Sequence, residues 1–295
     1  MSSRIKSWFK SLVKEARPDG PFDEFYKNGQ LKCKGTYKDE LRDGPYESYY
    51  ENGQLESRGS FCADIKDGSW EEYFDNEQLK FRGNYKDGKL DGAQEWFHRN
   101  GQLREKQPYK SGKKDGAWEL FHENGQLRSR GNFKDGKRNG PFEVFYKNGQ
   151  LRSKGVHGSD HRDGPYESCH GNGQLESKGF FSAGNKSGSW EKFYDNGQLK
   201  SKGLCQDGKK DGSWETLHAN GQLKSKGIYI SGNPDGPFDV FDENGQIQFK
   251  ENYKNGKKDG LYESYDENGQ LKTKGIFKNG ALDGPYEIYK DGVLQ

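Results

Sequence analysis

Residues 22–37 read FDEFYKNGQLKCKGTY, in which Asn28-Gly29 separates two runs of bulky and polar side chains. Asn-Gly between two such runs is the strongest short-range signal for a β-hairpin, and it favours a type I′ turn. If Asn28 and Gly29 are the two turn residues, Phe22 pairs with Gly35 across the hairpin. This stretch therefore predicts two antiparallel strands.

The same pattern recurs along the whole chain. Gly20 begins a series of twelve glycines that ends at Gly284, and every interval in it is 24 residues. The Asn-Gly pair recurs at the same interval, and Glu77 is the one replacement of its glycine before the last unit. Such self-similarity is typical of a tandem array in which each unit contacts mainly its neighbours.

The sequence therefore predicts an all-β fold, an elongated single twisted antiparallel sheet of about twelve tandem 24-residue β-hairpin repeats. The predicted array covers residues 19–295. Residues 1–18 are predicted to form a short basic amphipathic helix, because apolar residues recur there at helical spacing with lysines on the other sides.

Alternation along each strand assigns the aromatic residues mainly to one face of the sheet. Exposed aromatic patches usually mark interfaces, so this face is predicted to bind a protein partner. The alternative is that strong curvature brings the face against itself, so that the aromatics form a narrow core. The predicted partner-binding residues are Tyr46, Trp70, Trp118, Trp190, Trp214, Tyr50, Phe74, His98, His122, Tyr85 and Tyr109.

On the other face, an acidic residue such as Glu47 lies opposite a basic residue such as Arg58, which predicts a cross-strand ion pair. The fourth unit departs from the pattern at Gln94 and Gln107, so we expect a local irregularity there. No catalytic residue and no enzyme activity are predicted, because each candidate carboxylate has a basic partner and many copies.

No metal or cofactor site is predicted either. His98 and His122 occupy the same place in adjacent units and suggest a metal ladder. Tyr and Phe hold that place in other units, however, so a ring that fills the sheet surface is the simpler interpretation. We also find no phosphate-binding loop, because the glycines fall in hairpin turns, and no small-molecule substrate is predicted.

A longer repeat lies over the short one. Residues 44–48 read GPYES and residues 164–168 read GPYES again, an offset of 120 residues or five units. This offset indicates a block duplication.

Composition limits the class of protein. Only 28% of residues are hydrophobic, but the 17 Tyr, 18 Phe and 6 Trp are too many for a disordered chain. The net charge of +2 argues against a nucleic-acid partner, which requires a basic surface. The four cysteines follow no ligand or disulfide spacing, and no signal peptide or membrane span is evident, which predicts a cytoplasmic protein.

The N-terminal segment has two interpretations. It either caps the open edge of the first hairpin or lies on a membrane surface as a peripheral anchor. The residues predicted to make either contact are Ile5, Trp8, Phe9, Leu12, Lys6 and Lys10.

Residues 79–92, LKFRGNYKDGKLDG, resemble the MORN repeat. The Asn-Gly-Gln-Leu and Trp/Tyr-Glu positions are similar to the MORN-variant repeats of bacterial YwqK-type antitoxins, and the resemblance covers residues 19–295. It implies an elongated β-sheet scaffold that binds a protein, and an antitoxin or immunity protein that neutralises a partner toxin. The alternative that it leaves open is a membrane-associated MORN scaffold that binds lipid through the N-terminal segment.

Overall fold

A computed structural model of the chain describes residues 17–290 and 292–295, and every regular element among them is a β-strand. The strands pair antiparallel throughout, as expected for consecutive hairpins. The chain divides into two compact units, Met1–Lys137 and Arg138–Gln295.

In the first unit each repeat contributes one hairpin, and neighbouring hairpins pair side by side. Its strands are β1 (Gly20–Phe25), β2 (Leu31–Lys38), β3 (Leu41–Arg42), β4 (Gly44–Tyr49), β5 (Leu55–Cys62), β6 (Ile65–Lys66), β7 (Gly68–Tyr73), β8 (Leu79–Lys86), β9 (Lys89–Leu90), β10 (Gly92–Phe97), β11 (Leu103–Lys110), β12 (Lys113–Lys114), β13 (Gly116–Phe121) and β14 (Leu127–Lys134). The boundary between the units falls within β15 (Lys137–Arg138).

The second unit repeats the same arrangement. Its strands are β16 (Gly140–Phe145), β17 (Leu151–Gly158), β18 (His161–Cys169), β19 (Leu175–Ser182), β20 (Asn185–Phe193), β21 (Leu199–Gln206), β22 (Lys209–Leu217), β23 (Leu223–Ile230), β24 (Asn233–Phe241), β25 (Ile247–Lys254), β26 (Lys257–Lys258), β27 (Gly260–Tyr265), β28 (Leu271–Lys278), β29 (Ala281–Lys290) and β30 (Val293–Leu294).

The fold-class prediction was wrong in its helix. No residue that the structure describes is helical, and Arg17 and Pro18, which end the predicted segment, have no regular structure. The rest of that segment, residues 1–16, lies outside the described residues. No stretch from 17 to 290 or from 292 to 295 forms a helix long and apolar enough to span a bilayer.

The described residues form thirty strands, more than the two per repeat that the pattern predicts. Several repeats begin with a separate two-residue strand, such as β3, which ends just before Gly44. The φ of Gly44, which begins β4, is +97°, a conformation that glycine adopts without steric cost. The equivalent Gly188 has a φ of +67° inside the continuous strand β20.

The hairpin register is as predicted from Phe22 to Glu24, but the pairing of Phe25 and the turn are not. Phe22 pairs with Gly35, and a bulge follows before Phe25 pairs with Leu31. The Gly29 amide donates to the Tyr26 carbonyl (3.0 Å). Between Tyr26 and Gln30, only Gly29 has a positive φ, of 84°. This geometry is a type I turn followed by a left-handed glycine, not type I′.

Type I′ turns occur at the opposite end of the hairpins. Asp87 and Gly88, which join β8 to β9, have φ values of 49° and 74°. Positive φ at both central residues defines this turn, and Asp-Gly is one of its preferred pairs. The Gly112 amide of the next such turn donates to the carbonyl of Leu90 in β9 (2.8 Å), so each turn is hydrogen-bonded to the short strand of the preceding repeat.

The core of each unit is a ladder of aromatic rings on one face of the sheet, which we call the aromatic face. Trp70 lies over Gly59 of the preceding hairpin, where an added Cβ would be 2.0 Å from its ring. Phe61 meets the Trp70 ring edge-on, with centroids 5.3 Å apart. In the second unit Phe181 and Trp190 repeat this contact at 5.2 Å.

The expected irregularity in the fourth repeat does not occur in the backbone. Gln94 pairs with Gln107 in the same register in which Trp70 pairs with Gly83. Both glutamine side chains are fully buried. The Gln94 amide donates to the Asn84 carbonyl (3.0 Å), but neither Oε1 has a hydrogen-bond partner among the described residues.

The ion pairs join neighbouring hairpins, whereas the predicted pairs lay between the two strands of one hairpin. Glu71 is bonded to Arg58 of the preceding hairpin (2.6 Å), although its Cα partner within its own hairpin is Arg82. Lys178 and Glu191 form the equivalent pair in the second unit (2.8 Å). The charged residues therefore link one repeat to the next.

Candidate functional site

The aromatic face is largely closed. Trp70, Trp190 and Trp214 are 3%, 2% and 7% exposed, and Tyr46, Trp118, Tyr85 and Tyr109 are half-buried. Basic side chains cover the rings: the Lys66 Nζ lies 3.9 Å from the centroid of Trp70. Neighbouring side chains of the same face thus bury these rings, and contact of the rings with a partner stays a prediction.

The second row of predicted binding residues, Tyr50, Phe74, His98 and His122, lies at the turn end of the hairpins. The Tyr50 hydroxyl donates to the Tyr73 carbonyl (2.7 Å). The His98 Nε2 lies 3.2 Å from the Phe121 carbonyl. Phe121 occupies the same position in its repeat as Tyr73 does in its own. Tyr50 and His98 thus both bridge to the next repeat, whereas the His122 Nε2 is buried without a hydrogen-bond partner among the described residues.

Metal-ligating residues do not converge. Within the part of the chain that the structure describes, no three His, Cys, Asp or Glu side chains are placed to hold a metal ion. The four cysteines are free thiols: Cys33, Cys169 and Cys205 are buried, and Cys62 is exposed. The predicted cap or membrane residues Ile5, Lys6, Trp8, Phe9, Lys10 and Leu12 lie outside the described residues.

The face opposite the aromatic ladder carries a feature that the sequence analysis missed. Phe180, Leu204 and Ile228 recur at 24-residue intervals, each one residue after the glycine of its strand, and are 46%, 52% and 40% exposed. Side chains that alternate along a strand point to opposite faces, so these three lie in one row behind the aromatic ladder. We call this row the apolar stripe.

The first unit lacks this stripe. The residues at the equivalent positions are Thr36, Ser60, Asn84, Pro108 and Asn132. Comparing the repeats at this one position would have revealed the change from polar to apolar residues.

The surface beside the stripe is electrically neutral. Each lysine two residues before a stripe residue is paired with an acid of the following hairpin: Lys178 with Glu191 (2.8 Å), Lys202 with Glu215 (3.0 Å) and Lys226 with Asp239 (3.4 Å). A partner that covers the stripe therefore meets apolar side chains bordered by charges that are already compensated.

The same ion-pair row shifts pKa values in the first unit. Burial alone would raise the pKa of Glu71, but hydrogen bonds from Tyr73 and Arg58 outweigh it and hold the pKa below its ordinary value. Burial and the hydrogen bond to Glu71 raise the pKa of Tyr73 to about 12. This row borders an open groove of about 600 Å³, which is lined by residues such as Ser60 and Asn84.

A family model described as a MORN repeat variant matches ten stretches of the chain, residues 18–39, 42–63, 66–87, 90–111, 114–135, 138–157, 186–204, 210–231, 234–255 and 258–279. No curated protein matches the chain.

Two solved structures are similar at 11% identity. "Crystal Structure of TcdB2-TccC3" covers 100% of this chain and 18% of that chain, with a TM-score of 0.19. "Crystal Structure of TcdB2-TccC3-Cdc42" covers 94% and 16%, with a TM-score of 0.16. This chain thus spans less than a fifth of the length of those chains.

Proposed function

Because the chain belongs to the MORN repeat variant family, we propose that it is a non-catalytic repeat scaffold whose apolar stripe binds a partner protein. The observation that carries this proposal is the exposure of Phe180, Leu204 and Ile228 in one row. Exposed apolar side chains that are grouped on one face and bordered by polar residues are typical of interaction surfaces.

The neutral border indicates the chemistry of the partner. Since the lysines beside the stripe are already paired with acids, the stripe offers no uncompensated charge to a ligand. We therefore propose a partner that presents an apolar face with an uncharged rim. Neighbouring strands lie about 4.8 Å apart, so stripe residues two strands apart recur about every 10 Å.

The more specific role is inferred from the resemblance to YwqK-type repeats alone: the partner is a toxin that the chain neutralises. The lipid-binding alternative depends on residues 1–16, and no observation of the described residues favours it.

The test uses the duplication as an internal control. The full chain, the Phe180→Asp variant and the Ser60→Asp variant are used as bait in cell extract. Ser60 is equivalent to Phe180 in the first block, so it receives the same new charge at the same register position. We expect a defined protein that is retained by the full chain and by Ser60→Asp but is lost with Phe180→Asp.

Identical retention by all three baits would contradict the stripe as the binding surface. Sedimentation of the purified chain tests the other occupant: a dimer that dissociates in Phe180→Asp would identify a second copy and overturn the proposal. Co-expression of the retained protein with either variant then tests neutralisation. Neutralisation requires that the retained protein inhibits growth when it is expressed alone. It also requires that Phe180→Asp fails to relieve this inhibition.

A further inference from the structure

The aromatic face of the second unit contains an open cleft of about 340 Å³ with Phe181 and Trp190 at its base. Four basic residues line it, against one carboxylate, that of Glu176. We call these four, Arg162, Lys186, Lys192 and Lys200, the cationic cleft. The Lys186 Nζ lies 4.1 Å from the ring centroid of Trp190, so this charge is held above the core.

The block duplication supplies a matched comparison in the first unit. There Arg42 pairs with Asp64 (2.6 Å), and Glu72 pairs with both Lys66 (3.5 Å) and Lys80 (3.4 Å). The bases equivalent to the cationic cleft are thus neutralised from within the chain.

Both acidic partners are lost in the second block. The position of Asp64 is taken by Gly184, and that of Glu72 by Lys192. The first change removes one negative charge and the second reverses one, a difference of three charges in the same fold. Two independent substitutions therefore expose the same group of bases.

Within the described residues, no carboxylate lies within ion-pair distance of the four bases. Glu176, which lines the cleft, instead accepts a hydrogen bond from the Ser168 hydroxyl (3.0 Å). Burial, with the charge of Lys192 as a further cause, lowers the pKa of Lys186. Bound negative charge would offset this cost of holding Lys186 protonated.

The basic residues extend beyond one repeat. Arg162, Lys186 and Lys210 occupy the same position in three successive repeats, so they recur about every 10 Å at two strands per repeat. An anion with several negative groups along its length can contact more than one of them at the same time. The row therefore fits an extended anion lying across the strands.

We propose that the cationic cleft binds a carboxylate-rich, extended peptide segment of a protein. In a polyproline II conformation, every third residue lies on the same side of the peptide, about 9 Å apart, which is close to the spacing of the basic row. The net charge of +2 makes a nucleic acid a poorer fit, since such partners are held by counterion release from a strongly basic surface.

The cleft is separate from the apolar stripe, which lies on the opposite face of the same strands. Leu204→Asp is therefore expected to leave acidic-peptide binding unchanged, so failure of this proposal and failure of the proposed function are distinguishable.

The experiment measures the fluorescence anisotropy of a labelled peptide of repeated Glu-Pro-Pro as the full chain is added at low salt. We expect Lys192→Glu to weaken binding by about tenfold or more, because it reverses a charge inside the cleft. Lys254→Glu makes the same charge change at an exposed position of β25 and is expected to change affinity by less than about twofold. Lys192→Glu is expected to fold, because Glu72 stands at the equivalent position.

The reciprocal variant tests the comparison between the blocks. Asp64→Gly combined with Glu72→Lys is expected to add a second peptide site of similar affinity. Equal weakening by Lys192→Glu and Lys254→Glu would reduce the effect to net charge and overturn the proposal. Equal binding of a Gln-Pro-Pro peptide, or binding of tripolyphosphate in place of the acidic peptide, would overturn it as well.

Discussion

A methyl group at position 179 would lie 2.3 Å from the indole of Trp190, a distance that real contacts do not reach. Gly179 itself pairs with Tyr166 in its own hairpin, but the ring that covers it belongs to the next one. The hairpin register predicts the pairing of Gly179 with Tyr166. It does not predict the contact with Trp190, since the register within one hairpin does not fix how side chains of neighbouring hairpins pack.

We therefore expect Gly179→Ala to destabilise the protein by about 1–3 kcal/mol, the usual cost of overpacking a core. Gly171→Ala is the matched control: an added Cβ there meets nothing within 4 Å, and its φ is not positive. This control should be neutral or stabilising by up to about 1 kcal/mol. Urea unfolding midpoints measure both, and equal midpoints would contradict the ring-on-glycine packing.

The buried pair Gln94 and Gln107 gives a second prediction at this scale. Each Oε1 is buried without a hydrogen-bond partner among the described residues, which costs about 1–3 kcal/mol per group. The double variant Gln94→Trp with Gln107→Gly restores the ring and glycine of the other repeats and should raise the unfolding midpoint. The single variant Gln94→Trp should raise it by less, because the ring would lie over Gly83 of the preceding hairpin while the Gln107 Oε1 stays buried without a partner among the described residues. A double variant less stable than the native chain would show that the pair is not a local weakness.

At the scale of the element, the Asn-Gly-Gln turn is built to stack on its copies. The Asn28 Oδ1 accepts the Gln30 amide (2.9 Å), and its Nδ2 donates to the Glu51 carbonyl of the next repeat (3.2 Å). The sequence located every such turn but predicted the wrong type. Asn-Gly favours type I′ in a two-residue loop, but this loop has three residues. A three-residue loop needs a left-handed conformation only at its last residue, and the glycine takes that place.

One turn lacks that glycine. Glu77 takes a φ of 65°, a left-handed conformation that costs a residue with a Cβ about 1–2 kcal/mol. Glu77→Gly should therefore stabilise the protein by about 1 kcal/mol, although glycine also raises the entropy of the unfolded chain. Glu77→Ala, which keeps the Cβ, should not. Thermal unfolding of the three chains measures this, and a midpoint that falls in Glu77→Gly would contradict the argument.

At the scale of the whole molecule, hydrogen bonds, rings and charges link each repeat to the next within a unit. Trp190, for example, lies over Gly179 and donates to the Phe180 carbonyl (3.1 Å) of the preceding hairpin. Such nearest-neighbour coupling is what makes a repeat array stable although each hairpin is too small to fold alone.

The sequence predicted this architecture because period and register are local properties. Hairpin pairing such as that of Phe22 with Gly35 was predicted from the turn position, and it holds because the bulge after Glu24 offsets the longer three-residue loop. The surfaces were harder to predict. Trp70 was assigned to a binding face but is buried, because its exposure depends on Lys66 and Phe61 from neighbouring strands. The stripe at Leu204 was overlooked, because one apolar residue in a polar segment gives no periodic signal until repeats are compared.

The ion pairs between repeats predict how the whole array responds to acid. Hydrogen bonds from Lys34 and Tyr49 lower the pKa of Glu47, and a hydrogen bond from Arg42 lowers that of Asp64. A carboxyl group whose pKa is lower in the folded chain contributes stability that is fully present above its unfolded pKa and is lost as pH falls through the folded one. The ordinary values are 4.5 for Glu and 3.8 for Asp.

Burial lowers the pKa of His157 from its ordinary 6.5, so the unfolded chain gains a proton there first. The urea midpoint should therefore decline slightly as the pH drops below about 6.5, and more steeply once the pH drops below about 4.5. Glu47→Gln removes one such carboxyl group, so it should lower the midpoint at pH 7 and make the fall with acid shallower. Urea titrations at a series of pH values measure both slopes. Because the unfolded chain binds more protons than the folded one in this window, a midpoint that rises on acidification would mean that the pKa shifts have the opposite sign and that the charged rows do not stabilise the array.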